Sequence, residues 1–146
     1  MAEKLLLEVV TPERAVLRES VDDVVLPGEL GQMDVFPGHL PLLTSLTVGQ
    51  MVITADGKQR YLLIDQGFAE IADDRVTVLT ESCDGASDID VEQAKRALEE
   101  AEARIKELET ISTADVIEEE TFEKHRLALK RQRMRLAFAE ERAGDD

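Results

Sequence analysis

The stretch QMVITADGKQRYLLID, residues 50–65, places two apolar runs on either side of a short polar turn. The runs cover residues 50–54 and 61–65, and the turn is Ala55-Asp56-Gly57-Lys58. An Asp-Gly pair between apolar runs favours a tight hairpin, because both turn residues must tolerate positive φ. The stretch therefore predicts two antiparallel strands.

Similar short runs lie on both sides of this hairpin. Asp73-Asp74 separates two more runs, 68–72 and 75–80, and earlier runs cover 5–10 and 21–26, the second ending at Pro27-Gly28. Short strands with turns about every ten residues are typical of a β-sandwich or barrel. Because no helix of normal length fits between these turns, we do not expect a parallel α/β sheet.

The composition changes near residue 87. All four prolines and seven of the eight glycines precede it, so only the first part is rich in turns. After it, apolar residues spaced by three and four form a heptad seam, which predicts an amphipathic helix: Val91, Ala94, Leu98, Ala101, Ile105 and Leu108. We therefore predict an α+β chain, with an all-β domain over 1–87 and an antiparallel helical hairpin over 88–146.

The second helix of this hairpin carries two apolar stripes. Capping boxes at Asp90–Gln93 and Asp115–Glu118 mark the starts of the two helices, and residues 110–114 break the pattern between them. On the second helix, one stripe has Phe122, Leu129 and Leu136, and the nearly opposite stripe has Leu127, Met134 and Phe138. One stripe can pack on the first helix. The other needs a second surface, which is either the β domain or an alternative docking partner.

Charge is distributed unevenly along the chain. The 17 basic and 32 acidic residues give a net charge of −15, which argues against DNA or RNA as a partner. Residues 121–135 reverse this sign, with six basic side chains against Glu123. Arg131 and Arg135 lie four apart on one face and suit a phosphate or an acidic surface. For the basic residues nearer the Phe122 stripe, we favour pairing with first-helix acids such as Glu99, Glu100 and Glu102: Arg126, Lys130 and Arg133.

No catalytic or metal-binding pattern is present in the sequence. One cysteine, Cys83, and two histidines, His39 and His125, cannot assemble a Cys/His zinc site, and a single cysteine suits a reducing compartment. The sequence lacks HExxH, GxSxG and GxxxxGK[ST] motifs. It also has no run long enough to span a membrane and no signal-peptide pattern, so we expect a non-catalytic chain that stays in the compartment that makes it.

One longer segment is more specific than any of these features. Residues 24–28, VVLPG, and 36–44, FPGHLPLLT, followed by GFAEI at 67–71 and RVTVL at 75–79, match in order the motifs of one family. The chain resembles the epsilon subunit of F-type ATP synthases along essentially its whole length. The resemblance implies a β-sandwich of about ten strands followed by a helical hairpin, in agreement with the residue patterns.

The resemblance also implies a place in a rotary motor. The sandwich would bind the gamma subunit and sit on the ring of c subunits, coupling proton flow to ATP synthesis. The hairpin would either fold on the sandwich or extend toward the alpha and beta subunits and block ATP hydrolysis. The chain would then be peripheral to the cytoplasmic face of a bacterial plasma membrane.

The resemblance assigns two sets of candidate residues. A loop region would contact the c ring and gamma, through Gly31, Gln32, Met33 and His39. In some bacterial members, the folded hairpin binds ATP through residues that correspond here to Ile89, Asp90, Ala94, Arg131 and Arg135. Gln93 stands where those members have an arginine, so we predict weak or absent ATP binding and no other cofactor.

Two other functional classes remain open from the sequence. One is a free-standing nucleotide sensor that uses Asp90, Arg131 and Arg135. The other is an acidic adaptor that binds proteins through its hairpin. Co-purification with gamma and the c ring would separate both from a motor subunit.

Overall fold

Ten strands between Leu5 and Asp84 form one continuous hydrogen-bonded sheet. The structure is a computed structural model that describes residues 3–111 and 119–144. The strands are β1 Leu5–Val10, β2 Ala15–Val21, β3 Asp23–Gly28, β4 Gly31–Val35, β5 Leu42–Leu46, β6 Gly49–Ala55, β7 Lys58–Ile64, β8 Gly67–Ala72, β9 Arg75–Thr80 and β10 Cys83–Asp84.

Both hairpins predicted from turn residues are confirmed. In the β6–β7 turn, Asp56 has a φ of 52° and Gly57 a φ of 77°. In the β8–β9 turn, Asp73 and Asp74 have φ values of 52° and 57°. Two consecutive residues with positive φ give the twist that suits a two-residue hairpin, and Asp tolerates this region better than most residues.

The sheet folds on itself into the two layers of a sandwich. Its strand order is β10-β7-β6-β3-β5-β8-β9-β1-β2, with β4 paired to β3. Strands β2 and β6 lie far apart in this order but contact each other, as expected where two layers face across a core. Eight of the nine strand pairings are antiparallel, and β1 lies parallel to β9.

The core of the sandwich is built by alternation along the strands. In β1, Leu5, Leu7 and Val9 are buried, while the intervening side chains are half-buried. Side chains from both layers fill the same cluster, including Val24, Met51, Ile64 and Val78 among its members. This alternation is the period-2 pattern of a strand with one face toward a core.

Two helices follow the sandwich and pack on each other. After a short 3₁₀ turn at Ala86–Asp88, α1 spans Val91–Ile111 and α2 spans Glu119–Glu141. Every residue of the predicted α1 seam is buried or half-buried, which confirms the heptad reading. Asp90 caps α1 by accepting a 3.1 Å hydrogen bond from the backbone N–H of Gln93.

Some sequence predictions fall at the junction of the helices. The helix α1 continues through Thr110 and Ile111, so the predicted break begins later than residue 110. The rest of that break and the capping box at Asp115–Glu118 lie outside the described residues. Over the described ranges, neither helix is long and apolar enough to cross a membrane.

Candidate functional site

The helix α2 packs on the outer face of β6 and β7. Phe138 is only 4% exposed, and it joins a cluster separate from the sandwich core, formed by Leu63, Ala86, Ile89, Ala94 and Ala139. Met134 and Tyr61 are half-buried against the same cluster. The β domain is therefore the second surface for Met134 and Phe138, as one of the two interpretations of that stripe predicts. Leu136, from the opposite stripe, packs against the same cluster, so the two stripes are less separate than predicted.

Two arginines on this face of α2 form ion pairs with acids of the sandwich. Arg131 Nε lies 2.6 Å from Asp65 Oδ2, and Arg135 Nη1 lies 3.3 Å from Asp84 Oδ2. The Asp65 side chain is 10% exposed and the other three side chains are about one quarter to one third exposed. These are partly buried, charge-assisted contacts, which are stronger than pairs on an open surface.

Asp65 is held in place by the sandwich itself. Its Oδ1 accepts a 2.7 Å hydrogen bond from the backbone N–H of Gln66, which leaves Oδ2 for Arg131. Its own backbone groups are tied to Thr80: the Asp65 N–H donates to Thr80 Oγ1, and the Thr80 hydroxyl donates to the Asp65 carbonyl. The carboxylate is thus fixed by strands on the β7–β8 side of the interface, independently of α2.

Two of the three basic residues assigned to first-helix acids contact other groups, whereas the pairing of the exposed Arg133 stays a prediction. Lys130 Nζ donates a 3.2 Å hydrogen bond to Thr47 Oγ1, and Arg126 pairs with Glu123 on its own helix while lying over the Phe122 ring. The expected pairing of Arg126 and Lys130 with first-helix acids is therefore wrong. The prediction failed because a charge count along a helix does not define which neighbour each side chain reaches.

One more contact extends the interface past the end of α2. Arg142 Nε donates a 3.1 Å hydrogen bond to Gln50 Oε1, and its guanidinium lies 3.6 Å from the centre of the Tyr61 ring. A guanidinium at this position over an aromatic face is a cation–π contact. The last turn of the helix is thereby tied to the same two strands, β6 and β7.

The residues proposed to bind ATP all lie at or near this interface, and each makes an internal contact. Ile89 and Ala94 are buried in the Phe138 cluster, and Asp90 caps α1. Arg131 and Arg135 are engaged by Asp65 and Asp84. In the folded hairpin, these two arginines therefore pair with sandwich carboxylates, and their contact with ATP or with another subunit stays a prediction.

Asp65 and Asp84 were missed by reasoning from the sequence. A signal was nevertheless available on the helix, because Arg131 and Arg135 follow Leu127 by four and eight residues and so share its face. A face that packs on the sandwich brings its arginines there as well. The two acids gave no comparable signal, since each looks like an ordinary polar residue at a strand end.

A second candidate region lies at the loops that connect β3, β4 and β5. Gly31 has a φ of 138° and Gln32 is exposed, while Met33 packs against the core. His39 is half-buried, and its Nδ1 donates to the Leu40 carbonyl oxygen at 2.7 Å. Leu30, in the β3–β4 turn next to Gly31, projects fully into solvent at 105% exposure. The β3–β4 turn and the β4–β5 loop lie at opposite ends of β4, so the structure does not bring His39 together with Gly31 and Gln32.

The turn at Pro37-Gly38-His39 is anchored from another part of the chain. The Gly38 N–H donates a 2.7 Å hydrogen bond to Asp74 Oδ1, in the β8–β9 turn. Nearby on β4, burial and the neighbouring Asp23 carboxylate raise the pKa of Asp34. The turn at Pro37-Gly38-His39 is therefore restrained. The Asp34 carboxyl on the preceding strand ionises less readily than an ordinary aspartate.

The sandwich face formed by β5, β8 and β9 carries exposed apolar side chains. Phe68 and Leu79 are directly opposite each other across β8 and β9, at 55% and 50% exposure, and Leu43 on β5 is 70% exposed. Phe68 lines two clefts of about 320 and 330 Å³. Adjacent exposed apolar residues on one sheet face mark a surface that binds a partner.

Within the described part of the chain, no group of three His, Cys, Asp or Glu side chains is placed to hold a metal ion. The one cysteine, Cys83, is 7% exposed, and burial raises its pKa to about 11. Its thiol is therefore neutral at ordinary pH and is not an activated nucleophile.

Comparisons with known proteins agree on one family. Residues 4–86 match the family model described as ATP synthase, Delta/Epsilon chain, beta-sandwich domain. An ATP synthase epsilon chain from Geotalea uraniireducens is 41% identical over 139 residues, which cover 95% of this chain and 96% of that protein. A second, ATP synthase epsilon chain 2 from Syntrophotalea carbinolica, is 49% identical over 74% of this chain and 78% of its own length.

Solved structures share the fold at lower identity. A chain from the cryo-EM structure of the Euglena gracilis mitochondrial ATP synthase OSCP/F1/c-ring superposes with a TM-score of 0.73 and 24% identity, covering 96% of this chain and 81% of its own. A chain from the Tetrahymena thermophila mitochondrial ATP synthase central stalk/c-ring gives 0.53 and 12%, covering 95% and 96%.

Proposed function

We propose that this chain, which belongs to the epsilon subunit family of bacterial F-type ATP synthases, links the gamma subunit to the c ring as a non-catalytic part of the rotor. The epsilon chain is a component of the central stalk. The proposed role in coupling the c ring to gamma is supported by the exposed apolar face at Phe68 and Leu79. This face is available to another protein because α2 covers a different part of the sandwich, β6 and β7.

Gamma is the partner proposed for this apolar face. Phe68 and Leu79 face each other on neighbouring strands, and Leu43 lies on the next strand, so a partner can bury all three without any change in the sheet. Aromatic and aliphatic side chains at the centre of an interface supply most of the binding free energy. Side chains on the strands of a sheet also lose little conformational freedom on binding. A rigid contact of this kind suits a rotor subunit, which must transmit torque.

The c ring is the partner proposed for the loop end. Gly31, Gln32 and Met33 follow the exposed Leu30 at the β3–β4 turn, and His39 lies in the β4–β5 loop. The family resemblance implies that both segments contact the c ring. The hydrogen bond from Gly38 to Asp74 restrains the turn that holds His39. A restrained loop costs less entropy to bind than a free one. Through this contact the chain would be peripheral to the cytoplasmic face of the bacterial plasma membrane.

We assign an inhibitory role to the helical hairpin when it leaves the sandwich. The α2 face released in that state combines Phe138 and Met134 with Arg131 and Arg135. An apolar stripe flanked by guanidinium groups suits acidic surfaces on the alpha and beta subunits. Deletion of residues 88–146 should leave the complex assembled and raise ATP hydrolysis. Unchanged hydrolysis in the truncated complex would remove the inhibitory role.

ATP is proposed to bind weakly or not at all to the folded hairpin. Gln93 is exposed and uncharged, and the two arginines that would meet phosphate are engaged by Asp65 and Asp84. A nucleotide would have to displace both carboxylates to gain both guanidinium groups. Titration calorimetry of the purified chain with ATP tests this, and a micromolar dissociation constant would refute it.

The proposed gamma interface is tested with Phe68→Asp in a reconstituted complex. Phe68 is 55% exposed, so the variant should fold normally, while gamma binding should weaken at least about tenfold because a charge enters the apolar interface. Leu40→Asp is the matched control, since Leu40 is exposed to 79% but lies beside His39 at the loop end. It should retain gamma and lose coupling to the c ring. If Phe68→Asp binds gamma with the wild-type affinity, the assignment of this face is wrong.

A further inference from the structure

We propose that Asp65 and Asp84 form a two-point receptor on the sandwich for Arg131 and Arg135, which holds α2 docked in one register without any nucleotide. The two ion pairs join the same helix to the same end of the sheet. We call these two ion pairs, Asp65–Arg131 and Asp84–Arg135, the latch. Both sides of the latch lie in one chain, so it is independent of the proposed role in the central stalk.

The spacing of the acids matches the spacing of the arginines. Asp84 pairs with Leu63 in the β10–β7 ladder, and Asp65 follows Ile64 at the end of β7, so the carboxylates are neighbours on adjacent strands. Arg131 and Arg135 are four residues apart, which places them one helical turn apart on a common face. One turn of helix therefore spans the two acceptors.

The receptor exists before the helix arrives. Asp65 has one carboxylate oxygen held by Gln66 N–H, and its backbone is bonded to the Thr80 hydroxyl, so its second oxygen points to the α2 side without rearrangement. Preorganised acceptors bind a guanidinium with little additional ordering. The sandwich thus presents a fixed anion and the helix supplies the cation.

Burial makes the latch selective for register. With α2 docked, the Asp65 side chain is 10% exposed, and a carboxylate buried to this degree is unfavourable unless a cation meets it. Sliding α2 by one turn in one direction would place Leu127 at Asp65, and in the other direction Ala139 at Asp84. Each slipped register leaves a carboxylate facing an apolar side chain, so the observed register is preferred beyond what the Phe138 cluster provides.

The two ion pairs give both arginines anionic partners from the chain itself, so docking of α2 needs no ligand. A phosphate group placed between the helices would compete with Asp65 and Asp84 for the guanidinium groups instead of adding to them. We therefore expect the folded hairpin of the isolated chain to be as well protected in buffer as in the presence of ATP.

Hydrogen exchange of the full-length purified chain tests the latch, with Arg131→Gln as the main variant. Amides of α2 near residues 129–142 should exchange at least about tenfold faster, while β-core amides stay protected, because the substitution removes nothing from the sandwich. Arg133→Gln is the matched control: it makes the same change in charge on the same helix at an exposed arginine, and should leave α2 exchange unchanged.

Two further variants separate a latch from a general charge effect. In the double variant Asp65→Asn/Arg131→Gln, the α2 amides should exchange no faster than in the faster of the two single variants. Each single variant already breaks the same ion pair. Exchanging the second pair, Asp84→Arg with Arg135→Asp, should recover part of the protection lost in either single variant. Nuclear Overhauser contacts between Phe138 and Leu63 report the register, since a one-turn slip moves Phe138 by about 6 Å.

The latch is overturned by any of three results. Wild-type exchange of α2 in Arg131→Gln would show that the pair does not hold the helix. Equal loosening by Arg133→Gln would assign the effect to net charge. If the Asp65→Asn and Arg131→Gln double variant lowers the protection of α2 by the sum of the two single effects, the two residues act separately.

Discussion

The carboxylate of Asp74 accepts a 2.7 Å hydrogen bond from the backbone N–H of Gly38. Asp74 belongs to the β8–β9 turn, and Gly38 belongs to the turn that carries His39. A residue placed in a hairpin turn for its backbone conformation therefore also fixes a loop that is distant in sequence.

Replacing Asp74 separates these two roles. Asp74→Gly keeps the positive φ of 57° and removes the acceptor, so the Gly38 amide should exchange about fivefold faster, in keeping with the loss of a hydrogen bond worth about 1 kcal/mol. Asp74→Asn is the control, because its amide oxygen can still accept and Asn tolerates positive φ. Nuclear magnetic resonance exchange rates measure both. A Gly38 amide that is equally slow in Asp74→Gly would show that the contact does not restrain the loop.

Gly67 is expected to tolerate no side chain. A Cβ at this position would overlap the backbone carbonyl oxygen of Leu79, which cannot move without breaking the β8–β9 ladder. Gly67→Ala should lower the free energy of unfolding by about 3 kcal/mol. Gly49→Ala provides the comparison, since its Cβ would come closest to Pro27 Cβ, at 2.6 Å, a smaller overlap than the one with the Leu79 backbone, and should cost about 1–2 kcal/mol. Urea denaturation gives both values, and equal costs would contradict this account.

Phe138→Ala should undock α2 and leave the sandwich folded. The Phe138 cluster is separate from the core of the sandwich, so the loss of about 3–5 kcal/mol falls on the helix alone. Hydrogen exchange should show unprotected α2 amides beside unchanged β1 and β9 amides. Phe122→Ala is the control on the same helix, at a half-buried site where the ring contacts Arg126, and should have a smaller effect. Loss of protection in the β strands of Phe138→Ala would show that the two clusters unfold together.

The thiol of Cys83 should make the protein less stable in alkali. Burial, reinforced by the Asp84 carboxylate, raises the Cys83 pKa from 9.0 to about 11. Between these values the unfolded chain loses the thiol proton and the folded chain keeps it, so the free energy of unfolding falls as pH rises. The difference between wild type and Cys83→Ala, measured by urea denaturation from pH 8 upward, isolates this effect. A difference that does not change with pH would contradict it.

The sequence predicted the features that are local along the chain. The β6–β7 and β8–β9 hairpins follow from Asp56-Gly57 and Asp73-Asp74, because turn conformation depends on the turn residues themselves. The seam of α1 follows from periodicity, since burial of one helix face repeats every three or four residues. These predictions needed no knowledge of which distant segments meet.

Most of the features that failed or were missed are long-range, the local pairing of Arg126 with Glu123 being an exception. Nothing near Asp65 indicates that Arg131 will approach it, because the contact depends on how α2 lies across β7. Lys130 was assigned to acids of α1, but it reaches Thr47 on the sandwich. The parallel pairing of β1 with β9 was likewise absent from the sequence prediction, since strand patterns define faces and do not define neighbours.

That parallel pairing also imposes an order on synthesis. Strand β1 leaves the ribosome first, but its partner β9 is the last long strand of the sandwich to be made. Until residue 80 emerges, β1 can pair only with β2, and an isolated two-stranded hairpin is marginally stable in water. The sandwich therefore closes late in translation, and α2 can find Asp65 only after that closure has occurred. Until β9 is made, the nascent chain carries an unpaired edge of β1, and such edges expose a chain to aggregation before it has folded.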